Sequence, residues 1–127
     1  MKVFNRDVKV NGVVELDGLE TAIDTATAAA AAVTLNEVAG IITTEGLTTA
    51  QNAIYALALT NSRIDANSIV LVTVEDGTNT QGTPMVGQVK PAAGSCTIEV
   101  INKHATAEAL NGTLKIRFMV INPAPAA

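Results

Sequence analysis

At 127 residues the chain fits one domain, long enough to bury roughly two thirds of the surface its unfolded form exposes without help from a disulfide or a metal. Only 8 Lys and Arg against 12 Asp and Glu leave a formal charge of −4, which argues against a nucleic-acid face, because phosphate binding needs clustered cations that displace counterions. The 48% apolar fraction is rich in Ala and holds only Phe4, Tyr55 and Phe118 as aromatics, so the core is expected from Val, Ile and Leu, and no aromatic platform for a sugar is evident.

No secretory signal is read at the start, since Lys2, Asn5, Arg6 and Asp7 interrupt any apolar run. The Ala-rich stretch from Ala28 to Val33 is far too short to span a bilayer. A soluble protein made in the cytoplasm, with no membrane partner, is the expectation. The chain then repeats itself: Asp7-Val8-Lys9-Val10-Asn11-Gly12 is followed by Val13-Val14-Glu15-Leu16-Asp17-Gly18. Asn11-Gly12 between Val10 and Val13 reads as a type I′ hairpin turn. The hexads also fit an intertwined three-chain β-prism, because short repeats need about three stacked copies to bury a face and one chain has only two. An extended arm is the remaining reading.

After Gly18 the period changes. Leu19, Ile23, Ala26, Ala30 and Val33 follow the spacing of a short coiled-coil seam, with Glu20 and Asp24 favourably placed in the early turns. Thr21, Thr25 and Thr27 are poor helix formers, so an extended Ala/Thr linker competes with the helix. In either form residues 1–32 read as an arm or stalk preceding a β-domain at residues 33–121. Val3, Val8, Val10, Val14, Leu16, Leu19 and Ile23 are its candidate contact residues, toward other copies or toward a partner.

From Val33 onward strands and turns alternate. Val33 and Leu35 begin one segment, interrupted by Asn36-Glu37, and Ala39 to Thr44 forms a second. Ala53 to Thr60 places Tyr55, Leu57 and Leu59 on one face and the small apolar Ile54, Ala56 and Ala58 on the other, which suits contact with another layer or subunit. Ser68 to Val74 is a near-continuous apolar run, expected to be buried on both sides, and Met85 to Lys90 is a strand closed by Pro91 and Gly94. Gly94 to Ile121 holds two half-buried strands: Cys96, Ile98 and Val100 alternate with Thr97, Glu99 and Ile101, and Leu114, Ile116, Phe118 and Val120 with Lys115, Arg117 and Met119. If these two pair, Glu99 shares a face with Lys115 and Arg117. Seven to eight strands at this spacing predict an all-β protein, an antiparallel β-sandwich or jelly roll. Residues 122–127, rich in Pro and Ala, read as a disordered tail.

Chemistry is hard to place on this chain. Glu75 to Gly82 carries oxygen ligands but lacks the spacing and closing bidentate Glu of a calcium loop, so a turn between strands is expected. His104 has no flagged nucleophile or second metal ligand beside it in sequence and reads as a loop or interface residue. Asn111-Gly112-Thr113 matches a glycosylation acceptor and equally a turn opening the last strand. Cys96, the single cysteine, falls on an inward row as a small hydrophobe. No catalytic, cofactor-binding or metal residue is predicted, and an enzyme is not expected.

The succession Gly40-Ile41-Ile42-Thr43-Thr44-Glu45, Tyr55 through Asn61-Ser62, Gly77-Thr78-Asn79-Thr80-Gln81-Gly82-Thr83-Pro84, Asn102-Lys103-His104-Ala105 and Leu110-Asn111-Gly112-Thr113-Leu114-Lys115-Ile116 resembles a small β-domain of tailed-bacteriophage structural proteins. Such domains serve as capsid decoration (cement) proteins and as trimeric modules of head or tail fibres. The two hexads resemble the short β-repeats that precede these domains in fibres. The resemblance implies a homotrimer on the outer surface of a virion, assembled in the host cytoplasm, with the major capsid protein as partner. A fibre is expected to have a long shaft and an attachment domain, and the short arm here favours decoration, with a host-binding fibre module as the alternative.

Overall fold

The computed structural model describes residues 23–123. The hexads, and with them Val3, Val8, Val10, Val14, Leu16 and Leu19, lie outside the described residues, as do residues 124–127. The described chain forms eight strands: β1 (Asp24–Thr27), β2 (Ala32–Thr34), β3 (Ala39–Thr43), β4 (Ile54–Thr60), β5 (Ile69–Asp76), β6 (Pro84–Ala92), β7 (Ser95–Asn102) and β8 (Leu114–Ile121). They build two four-stranded sheets, the first in the order β1-β3-β8-β5 and the second in the order β2-β4-β7-β6. The all-β expectation is met.

One core holds the sheets together. Leu57 and Leu59 of β4 and Ile98 and Val100 of β7 face Ile42 of β3 and Leu114, Ile116 and Phe118 of β8, all buried. Cys96 belongs to this core, and burial pushes its thiol up, so it is a packed hydrophobe. The period-two rows of β4, β7 and β8 thus produce the layers: each strand presents one apolar face, and two such faces bury each other.

Several expectations are corrected. The seam Ile23, Ala26, Ala30, Val33 is not helical. Ala26 and Val33 belong to β1 and β2, and Ala30 and Ala31 take left-handed φ values of 51° and 59° in the turn between them. Main-chain pairing with β3 and β4 outweighs a weak helical tendency spread over Ala and Thr. The sandwich therefore begins at β1, and a boundary at residue 32 would cut through it. Nor is every pairing antiparallel. The first six strands alternate between sheets, so β3 returns to the first sheet parallel to β1, and β4 to the second parallel to β2.

The two terminal strands do not pair with each other. β7 lies between β4 and β6, β8 lies between β3 and β5, and the connection between them carries the chain across the core. Glu99 accordingly meets Lys90 at 3.7 Å, while Arg117 pairs with Glu75. β5 was expected to be covered on both sides, but it is a sheet edge: Val70, Val72 and Val74 face inward and half-buried, and Ile69 and Leu71 stand in water. Pro91 lies inside β6 opposite Cys96 and does not close it, as an edge strand tolerates. Asn122, expected in a disordered tail, is tied down, its amide donating to the Arg63 carbonyl at 2.9 Å.

Candidate interaction surfaces

Both outer faces of the sandwich carry apolar rows, and register explains why. On the first sheet Ile69 pairs with Ile121, Leu71 with Met119 and Thr73 with Arg117, while Ala39 and Ile41 of β3 lie on the far side of Met119 and Arg117. All of these point away from the core, because their neighbours Val72, Phe118 and Ile42 point into it. Leu71 is 53% exposed and Met119 47%. Between them and the 61% exposed Ile23 runs a groove of about 300 Å³, with Ile41 in its wall and Thr73 and Arg117 at its polar end.

The second sheet presents a narrower row. Ile54 and Met85 flank Ile101 across three strands and are 53% and 52% exposed, and Ala56 and Ala58 continue the surface along β4. The expectation of a small apolar outer face on β4 is met. The Lys90–Glu99 pair lies further along the same face.

The loops at one end of the sandwich hold the polar residues. Asn102 ends the inward row of β7 fully buried. Its Nδ2 donates to the carbonyls of Thr49 and Glu108 at 3.0 and 2.7 Å, and its Oδ1 accepts from the N–H groups of Thr83 and His104 at 3.0 and 3.2 Å. Beside it Thr83 Oγ1 lies 3.0 Å from His104 Nδ1, and His104 Nε2 lies 3.2 Å from Glu108 Oε2. This hydroxyl–imidazole–carboxylate array has the order of a nucleophilic relay. A relay also needs N–H groups free to hold an oxyanion, and the adjacent Gly82 and Thr83 amides are already donated to Glu108 and Asn102. The array clamps loops.

The loop after β5 spends its oxygens in the same way. Asn79 is buried, donating to Asp76 Oδ1 and the Gln81 carbonyl and accepting from the Asn111 N–H. The Asn111 side chain in turn accepts from the Thr80 N–H and donates to its hydroxyl. Gly112 sits so close to Thr78 and Asn79 that an added Cβ would stand 2.7 Å from the Asn79 nitrogen. Among the described residues no three His, Cys, Asp or Glu side chains gather as a metal site. At the other turn, Glu45 accepts from the Ala31 N–H at 2.6 Å and from the Tyr55 hydroxyl.

No family model, curated protein or solved structure matches the chain. Of the predicted contact residues, Ile23 is the one within the described chain, and the fold brings it beside Ile41, Leu71 and Met119 on the groove. Ile69 and Leu71 were missed as surface residues, and Met119, expected on the outer row of the last strand, was not singled out as a contact residue. Their signal was present: β5 and the end of β8 are apolar on both faces, and such a strand is either sandwiched between layers or exposed at a sticky face.

Proposed function

We propose that the chain is a structural protein of a tailed-bacteriophage particle, a capsid decoration protein that binds and stabilises the head as a homotrimer. The observation that carries this reading is the row Ile54, Ile101, Met85 with Ala56 and Ala58, an apolar outer face on a sheet whose other face already fills the core. Contiguous apolar surface in water is a site of association. The sequence resemblance to phage β-domains supplies the kind of assembly, and the valine-rich arm supplies the second contact. Val8, Val10 and Val14 fall at even-numbered spacing, with Val3 ahead of them, and such an arm would add a strand to a sheet edge of the major capsid protein through main-chain hydrogen bonds.

Mixing the purified protein with capsids that lack it, followed by electron microscopy, tests the reading. Density at regular lattice positions and capsids that resist heat longer are expected. Binding to host cells with no density on capsids would replace decoration by the fibre reading.

A further inference from the structure

We propose that β5 is a docking edge for a second copy of the chain, the two β5 strands pairing antiparallel about a two-fold axis at Val72 and joining the two first sheets into one. This does not rest on the capsid reading. The ladder fixes which main-chain groups are open. Val120 donates its N–H to the Val38 carbonyl and the Leu114 carbonyl accepts from Thr44, so the even-numbered residues of β8 turn toward β3 and the odd-numbered ones toward β5. The Thr113 carbonyl agrees, accepting from Gly77 just past β5. Ile69, Leu71, Thr73 and Glu75 stand opposite odd-numbered residues of β8 and spend their N–H and C=O groups there. Val70, Val72 and Val74 therefore aim theirs out of the sheet, where among the described residues nothing pairs with them.

The other edges are blunted. β1 and β2 are four and three residues long, and β6 carries Pro84, Pro91 and an irregular step between Val86 and Val89. β5 runs eight residues in unbroken register, with no Pro and no charge before Glu75. Such an edge accepts a strand, and a copy of β5 fits it. A two-fold axis at Val72 sets Val72 against itself and Val70 against Val74 of the other copy, so the open groups of these valines meet their own kind, each pair exchanging two bonds. The valine side chains, half-buried in one copy, continue the inner row of the other. The carboxylates stay apart, because Glu75 then faces Ile69 and Asp76 faces Ser68. One strand pair covers far less than the roughly 1,200–2,000 Å² of a stable complex, so free copies pair at about 1 mM and crowded copies pair readily.

The test oxidises the full chain carrying Val72→Cys at about 1 mM and reads a denaturing, non-reducing gel. Hydrogen-bonded partners lie about 5.5 Å apart between Cα atoms, within disulfide reach. Cys96 is buried and stays out of the exchange. A covalent dimer is expected, with at least about tenfold less from Val70→Cys, which the axis holds about 13 Å from its own copy. Equal yields from the two variants, or a dimer from neither, overturn the proposal. Amide exchange of the unaltered chain gives a readout without cysteine. Between about 20 μM and about 1 mM the Val70, Val72 and Val74 N–H groups should slow about twofold, while the amides of β1 keep their rates. No slowing at the three valines also overturns it.

Discussion

Ala30 and Ala31 sit where a hairpin turn normally takes Asn and Gly, both with positive φ. A left-handed conformation costs an L-residue roughly 1–2 kcal/mol, of which a glycine's extra unfolded-state entropy takes part back. Ala31→Gly should therefore raise stability by about 1 kcal/mol, read as a shift of the urea midpoint; an unchanged or lower midpoint would mean that the turn carries no such strain. What holds the turn is Glu45, which accepts from the Ala31 N–H and the Tyr55 hydroxyl. Burial alone would raise the Glu45 pKa, but the hydrogen bonds from Tyr55, from Ala31 and from its own backbone outweigh burial and lower it. A carboxylate lowered on folding contributes stability that is complete above its unfolded value and is lost as pH falls through the folded one. Burial and the Glu45 carboxylate push Tyr55 up, so its contribution is complete below the unfolded tyrosine value and is lost in strong alkali. The urea midpoint should thus drop on acidification from about pH 6 to about pH 3.5, and Glu45→Gln should flatten that limb. An equally steep limb in the variant would assign the acid sensitivity to other carboxylates.

At the scale of elements, β8 is the middle of the first sheet and carries the clearest alternation in the chain. Phe118 is 4% exposed with Val72 beside it across the sheet and Gly40 on the other side, where an added Cβ would lie 2.9 Å from its ring. Phe118→Ala should cost roughly 3–5 kcal/mol, and Lys115→Ala on the outer row about 1 kcal/mol or less; equal losses in denaturant melts would mean that the faces of β8 are reversed. Such strands were legible because Leu114, Ile116, Phe118 and Val120 alternate without a break. β1 and β2 were not, because the four residues Asp24-Thr25-Ala26-Thr27 and the three residues Ala32-Val33-Thr34 carry no period that tells strand from helix. Partners were illegible for a different reason. Alternation names the face a strand buries and is silent on its neighbours, so β7 and β8 read equally well as a pair or as opposite walls of the core. Asn61 and Asn102 were hidden in the same way, one just past the end of β4 and the other at the end of β7, where a polar residue looks like the start of a loop.

For the whole molecule, the proposed trimer and the proposed arm divide the chain into two separable functions. On the proposed reading, copies would meet through the second sheet's outer row, and residues 1–15 would be the capsid contact. Ile54→Lys places a charge in the middle of an apolar contact, and burying it unpaired is costly, so light scattering at micromolar concentration should change from three chains to one. The melt of the single chain should hold, because Ile54 is half exposed and faces away from the core. Deleting residues 1–15 should leave both trimer and melt intact, since β1 and the residues before it are retained. A deletion to residue 32 would confuse the test by removing an edge strand of the first sheet. On that reading each arm alone would bind weakly, and three arms on one particle would gain roughly 10²- to 10⁴-fold from effective concentration where the lattice permits. Capsid binding should therefore fall by a factor in that range for Ile54→Lys and vanish for the deletion. Full decoration by the deleted protein would remove the arm as the anchor, and a wild-type mass of one chain would remove the trimer together with the avidity built on it.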